Sequence, residues 1–197
     1  QINTKKFKAK DPGSINLISS QMATNSTTEF NFKLKENCHI SEKSTSLYIL
    51  CGDINSPFQA GILELNILPA KTIQNFQEIF ENFFKFSFKT FKNKKDKKLG
   101  DFIDCKITPP KSPEWTPILG MNLKTRILNE SFELIFSFKL KTMSYELDSI
   151  GTKDSKKEIT KTLSKKQYTS FGDNLNQDFC RKLITEVLNE VKLKKLV

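Results

Sequence analysis

The chain has 197 residues, with 32 Lys plus Arg against 22 Asp plus Glu and a formal net charge of +10. That length is enough for one proper hydrophobic core, and the basic excess favours a polyanionic neighbour, most often nucleic acid. The longest unbroken apolar stretch, residues 47–51, is neither signal-like nor of membrane length.

In chain order, residues 1–27 are polar, with a turn at Asp11-Pro12-Gly13 and material for one strand. From residue 28 to 197 a single domain is expected. Phe30, Phe32 and Leu34 alternate with Asn31, Lys33 and Lys35, a strand pattern. Residues 47–51 suit a strand covered on both sides. Gly52, Asp53, Asn55 and Pro57 then supply turn chemistry, and Leu63, Leu65 and Ile67 alternate beyond them, which completes a hairpin. After Pro69 the period changes: Phe76, Ile79, Phe80 and Phe83 recur at helical spacing, with Pro69 or Ala70 opening the helix. Near Phe84 it changes back, since Phe84, Phe86 and Phe88 alternate with Lys85, Ser87 and Lys89. Residues 92–98 hold Lys92, Lys94, Lys95, Lys97 and Lys98 and read as a solvated basic loop.

A short strand over 102–107 is stopped by Pro109, Pro110 and Pro113. Leu119, Met121, Leu123 and Ile127 predict the next, and Asn129-Glu130 turns it into the clearest strand of the chain. There Phe132, Leu134, Phe136, Phe138 and Leu140 take one face, with Ile135 out of pattern on the other. Residues 151–166, polar and lysine-rich, read as a mobile insertion. The closing helix, 174–195, starts at a capping-box-like Asn174 with Gln177. Its apolar stripe is Leu175, Phe179, Leu183, Ile184, Val187, Leu188 and Val191. Short antiparallel strands, a helix between the third and fourth, and a helix after the last predict a mainly β fold with α. The plan is an OB-fold-like antiparallel β-barrel with one internal and one C-terminal helix. A PH-like barrel also ends in a helix but has none in the middle.

Few residues point to catalysis. His39 is the one histidine and stands beside Cys38, where neighbours along an extended chain do not face one another as a dyad requires. Cys38, Cys51, Cys105 and Cys180 have no metal-ligand spacing and are expected to be reduced in an intracellular chain. No cofactor is implied, and no glycine-rich phosphate loop is present. Gln1 is no initiator, so the numbering is expected to begin inside a longer protein. Two kinds of binding surface remain. Lys92, Lys94, Lys95, Lys97 and Lys98 could meet phosphates while aromatics stack bases, although alternation puts Phe84, Phe86 and Phe88 on one face, which favours core. Trp115, among Pro113 and Pro117, caps the barrel or grips a partner. The second surface is the wide edge of the closing stripe, Ile184 and Leu188, which packs on the chain's own barrel or pairs with a partner helix.

The run Asn176-Gln177-Asp178-Phe179, then Arg181-Lys182-Leu183 and Leu188-Asn189-Glu190, resembles the closing helix of the telomerase-recruiting OB subunit of shelterin. Ciliate counterparts are the β subunit of the telomere end-binding protein and the bridging OB subunit of the telomerase holoenzyme. The strand bearing Asp104-Cys105 and the long last strand fit the same order. The resemblance implies a nuclear, non-enzymatic subunit that bridges telomerase reverse transcriptase to other OB-fold subunits. In that family, acidic residues after the third strand make the contact; the matching stretch here offers Glu78 and Glu81, without a dense acidic cluster. The alternative readings are a direct binder of single-stranded DNA or RNA, of replication-factor type, and a PH-like interaction module.

Overall fold

The hydrophobic periods above set two kinds of element against each other, and the computed structural model shows how they pack. It describes residues 2–3, 34–43, 45–53, 56–97, 100–128, 130–146 and 149–192. Contacts group the chain into two compact units, Gln1–Pro69 and Ala70–Val197, so the 28–197 span divides at Pro69. The strand expected at Phe30 and Phe32 lies outside the described residues, and Leu34 and Lys35 carry no regular structure.

The first unit is a hairpin with a short third strand. Strand β1 (Ile2–Asn3) pairs with β2 (Thr45–Asp53), which pairs antiparallel with β3 (Ser56–Leu65). Leu47 opposes Leu65 and Leu50 opposes Ile62, with a register shift between Cys51 and Asp53. Ser41 clasps the outgoing strand: its hydroxyl donates to the Leu65 carbonyl at 2.9 Å and accepts from the Ile67 N–H at 2.8 Å. The expected cover on both sides is not found, because Leu47 to Leu50 are only half-buried and Cys51 is exposed.

The second unit opens with helix α1 (Lys71–Phe84), whose buried face is Ile73, Phe76, Ile79 and Phe80. Lys85 ends it in the left-handed region (φ 59, ψ 22), and the Phe86 N–H returns to the Phe80 carbonyl at 3.2 Å. This single αL residue converts the 3.6 period into the 2.0 period, a conformation glycine adopts without the Cβ penalty that lysine bears. A five-stranded antiparallel meander follows: β4 (Ser87–Asp96), β5 (Gly100–Thr108), β6 (Ile118–Leu128), β7 (Ser131–Glu146) and β8 (Ser149–Ser164). Helix α2 (Lys165–Tyr168) and helix α3 (Gln177–Asn189) close the chain.

The fold is therefore mainly β with α, as expected, and the helix between third and fourth strands and the closing helix fall in the expected order. The sheet is open: β4 and β8 are its two edges, and no pairing between them closes a barrel among the described residues. Both expected loops are strands. Lys92, Lys94 and Lys95 belong to β4 and only Lys97 to the turn, while Lys98 lies outside the described residues. Residues 151–166 are most of β8 and the start of α2, paired along β7 from Ser131↔Ser164 to Glu146↔Ser149. Beyond Ile118↔Leu140 the β7–β8 pair runs on as a two-stranded ribbon without β6. A register shift between Ile118 and Gly120 leaves Ile118 buried and Leu119 exposed, contrary to the expected alternation. Helix α3 starts after Asn176, not Asn174, with the Asn176 carboxamide oxygen accepting from the Phe179 N–H at 3.2 Å.

Both long helices cover one sheet face. Phe76 meets Phe132 edge-on at 5.5 Å between centroids, and Phe80 contacts Phe86 at 5.8 Å, Phe88 at 5.9 Å and Phe136 at 6.3 Å. Cys180, Leu183, Ile184, Val187 and Leu188 of α3 fill the rest. Lys157 of β8 pins the end of α3 through a 2.8 Å ion pair with Glu190, whose carboxyl the hydrogen bond from Lys157 holds below its usual range.

Two substitutions check this packing. Ile184→Ala should cost about 2–5 kcal/mol of unfolding free energy in urea titration, as deletion of a buried aliphatic group does. Lys85→Gly should raise stability by about 1 kcal/mol by removing the αL penalty.

Candidate nucleic-acid interface

Because α1 and α3 occupy one face of the β4–β8 sheet, the alternate residues form a second face pointing away from them. Register assembles it from segments far apart in sequence: Lys92↔Asp104, Thr90↔Lys106 and Lys94↔Phe102 join β4 to β5. Asp104↔Lys124 and Lys106↔Asn122 join β5 to β6, and Lys124↔Ile135 and Arg126↔Glu133 join β6 to β7.

The arrangement places one carboxylate among four ammonium groups. Asp104 lies directly between Lys92 and Lys124, with Lys94 on a diagonal position of β4 and Lys106 two residues along β5 on the same face. Asp104 ion-pairs with Lys94 at 3.4 Å and accepts from Asn122 Nδ2 at 3.3 Å. Lys124 instead reaches over the Phe102 ring, its ammonium 5.1 Å from the centroid. Arg126 is committed to Glu133 at 2.7 Å. Lys92 and Lys106 are exposed and have no ion pair among the described residues. Phe102, Lys124, Arg126, Glu133 and Ile135 line a shallow dip on this face, so the out-of-pattern Ile135 is buried under its polar neighbours.

The other sequence-derived candidates separate. Lys92 and Lys94 belong to the face just described; Lys95 falls on the opposite phase of the same edge strand, and Lys97 on the turn beyond it. Trp115 is 9% exposed and packs edge-on against Phe86 at 5.3 Å, so it caps the core and does not project toward a partner. Of the three phenylalanines weighed as stacking groups, Phe86 is buried and Phe88 half-buried. Ile184 and Leu188, expected at a partner-binding edge, are 0% and 1% exposed; both are core, because α3 packs against α1 and α2 within the same unit. Glu81 is half-buried and accepts from Gln77 Nε2 at 3.1 Å and the Phe88 N–H at 3.3 Å, which ties α1 to the start of β4. Glu78 remains on the surface, as does Phe83 under the Arg181 guanidinium, 4.2 Å from the ring centroid.

Neither Lys106, Lys124 nor Arg126 carries a local sequence signal; only the strand register brings them beside Lys92. Phe171, 99% exposed in the loop before α3, was equally unmarked, an isolated aromatic in a polar stretch. Among the described residues no group of three His, Cys, Asp or Glu side chains is placed to hold a metal ion, and no helix is long and apolar enough to cross a membrane. The thiols are all free. Burial pushes Cys38 up and Cys105 and Cys180 up to about 12, with the adjacent Asp104 carboxylate adding to the effect at Cys105. A raised thiol is the opposite of what a nucleophile at position 38 needs. No protein-family model, curated protein or solved structure matches the chain.

Thiol titration with Ellman's reagent should therefore resolve three classes: Cys51 reacting promptly in native protein, Cys38 slowly, and Cys105 and Cys180 only in denaturant. Prompt native reaction of all four would contradict the buried positions of the last two.

Proposed function

We propose that this chain is a non-enzymatic subunit of a telomere-maintenance assembly in the nucleus, and that it holds single-stranded nucleic acid on the open face of its five-stranded sheet. The observation that carries the reading is the single carboxylate of Asp104 set among Lys92, Lys94, Lys106 and Lys124. Four ammonium groups around one anion leave uncompensated positive charge on this face, and a phosphate backbone relieves that repulsion with release of counterions. Phe102, already stacked by a lysine, offers an aromatic surface within the same patch. The telomere-type assembly comes from the resemblance of the closing helix, and an OB-type origin of the sheet is part of the same proposal, supported by the order of strands and helices.

A second reading keeps the bridging role, with telomerase reverse transcriptase and OB-fold subunits as partners. What favours it is the exposure of Glu78 and Phe83 on α1, together with the absence of a second apolar edge on α3. Charge reversal of Glu78 would then abolish co-purification of the assembly while leaving oligonucleotide binding intact.

Fluorescence anisotropy with a labelled oligothymidine tests the first reading. Wild-type protein should bind with an affinity that falls as salt rises. The double change Lys92→Glu and Lys106→Glu should weaken binding and lower the salt slope by roughly 1.4, the single-strand value for two lost phosphate contacts. Asp104→Asn should act in the opposite sense and strengthen it. An unbound oligothymidine at low salt sinks the reading.

A further inference from the structure

Strand ends decide what lies beyond the open face. The register carried through Lys95↔Asp101, Ile103↔Thr125, Ile127↔Phe132 and Phe132↔Leu163 brings three features to one end of the sheet. These are the β4–β5 turn with Lys95 and Lys97, the turn at Glu130, and the start of α2 with Lys166. Four interstrand gaps make this end roughly 19 Å across. After α2 the chain forms a small closed loop before α3. Thr169 bridges Leu175, the Ser170 N–H donates to the Asn174 carbonyl at 2.7 Å, and the Asn176 N–H donates to the Tyr168 carbonyl at 2.8 Å. Inside it, Asn174 Nδ2 donates to the Phe171 carbonyl at 3.2 Å and Gly172 takes φ 72. Tyr168 at its base is buried edge-on against Phe132.

At the tip stands Phe171, 99% exposed. A phenyl ring left wholly in water on a loop so heavily cross-braced contributes nothing to the core, and its position is fixed without a partner. We infer that Phe171 is a base-stacking anchor for the single-stranded nucleic acid proposed above, and this inference rests on that reading. The Lys95–Lys97 turn and Lys166 stand at the same end of the sheet as the loop that carries Phe171, the turn at the β4 edge and Lys166 at the β8 edge. A preset aromatic at a sheet end that also carries lysines is a combination that sequence-tolerant single-strand binding uses, since every base offers a π face and the braced loop has little entropy left to lose. A lipid surface is the poorer occupant: Ser170, Gly172 and Asn174 flank the ring, so one aromatic side chain is all that would enter the bilayer, and binding there scales with buried apolar area.

The test compares wild-type, Phe171→Ala and Phe171→Trp proteins by anisotropy on oligothymidine and on an abasic oligonucleotide of equal length. Phe171→Ala should weaken oligothymidine binding on the order of tenfold, Phe171→Trp should retain it, and all three should bind the abasic strand alike. Unfolding midpoints should coincide, because the ring has no packing to lose. If Phe171→Ala binds oligothymidine like wild type while Lys92→Glu/Lys106→Glu does not, the anchor is overturned and the sheet-face reading stands. If wild type binds neither strand, the sheet-face reading fails and the anchor with it. If phosphatidylserine vesicles sediment wild type but not Phe171→Ala, the ring serves a membrane and the inference is overturned.

Discussion

The interaction on which the second unit depends is the aromatic seam between α1 and the middle of the sheet. Phe76 stands on Phe132, and Phe80 is held among Phe86, Phe88 and Phe136, all at edge-to-face or tilted separations near 6 Å. Rings of this size bury more apolar surface per residue than any aliphatic side chain, and edge-to-face contacts add a directional preference that area alone does not. The seam fixes which face of the meander meets helices. Since the pleat alternates without exception along β7, it also fixes which residues must point away. The charged face is thus a consequence of the packing, not a separate structural module.

Legibility in the sequence follows how fully each strand is covered. β7 lies under α1, with Phe76 on Phe132 and Phe80 on Phe136, and its alternation could be read directly. β8 is an edge strand whose described inward positions include Ser155, Lys157 and Lys161 beside two buried residues, Ile159 and Leu163. Where helices do not reach, nothing selects apolar side chains, and the pattern dissolves into a polar, lysine-rich run. β4 fails for a second reason: the register shift between Phe88 and Thr90 puts Phe88 and Phe91, three apart in sequence, on the same face. Strict period two is lost, and its lysines read as a loop. Lysines on exposed edges also discourage pairing with another chain, so the same residues that obscured the strands suit their position.

The closing helix shows how a correct pattern can suggest the wrong cause. Its stripe is wide because α3 has more than one neighbour, α1 and α2 in direct contact and β8 tied through Lys157–Glu190; two neighbours inside one unit demand a broader apolar sector than one. Width alone does not say whether the second neighbour belongs to the same chain. The helix-to-strand junction at Lys85 was legible as a change of period, but its αL geometry was not, since lysine carries no signal for positive φ.

The open face depends on distances no linear reading supplies. Asp104 and Lys124 are remote in sequence yet directly paired, and Lys92 reaches the same carboxylate from the other side. On a sheet, diagonal neighbours lie about 7–8 Å apart, inside the Debye length of about 8 Å at physiological ionic strength. Lys106 is such a diagonal neighbour of both Lys92 and Lys124, close enough for repulsion to survive partial screening, and Asp104 can neutralise only one of them at a time. Lys94 takes most of that anion through its 3.4 Å ion pair, and Lys124 turns to the Phe102 ring. The ammonium groups without an ion pair among the described residues are Lys92, across from Asp104 on β4, and Lys106, two residues beyond it on β5. A face meant only for solubility would intersperse its signs, as the Arg126–Glu133 and Lys139–Asp154 pairs do toward β7 and β8. The departure from that mixture lies on β4–β6, three of the five strands, and its local positive charge makes that part of the face the one where a polyanion gains most.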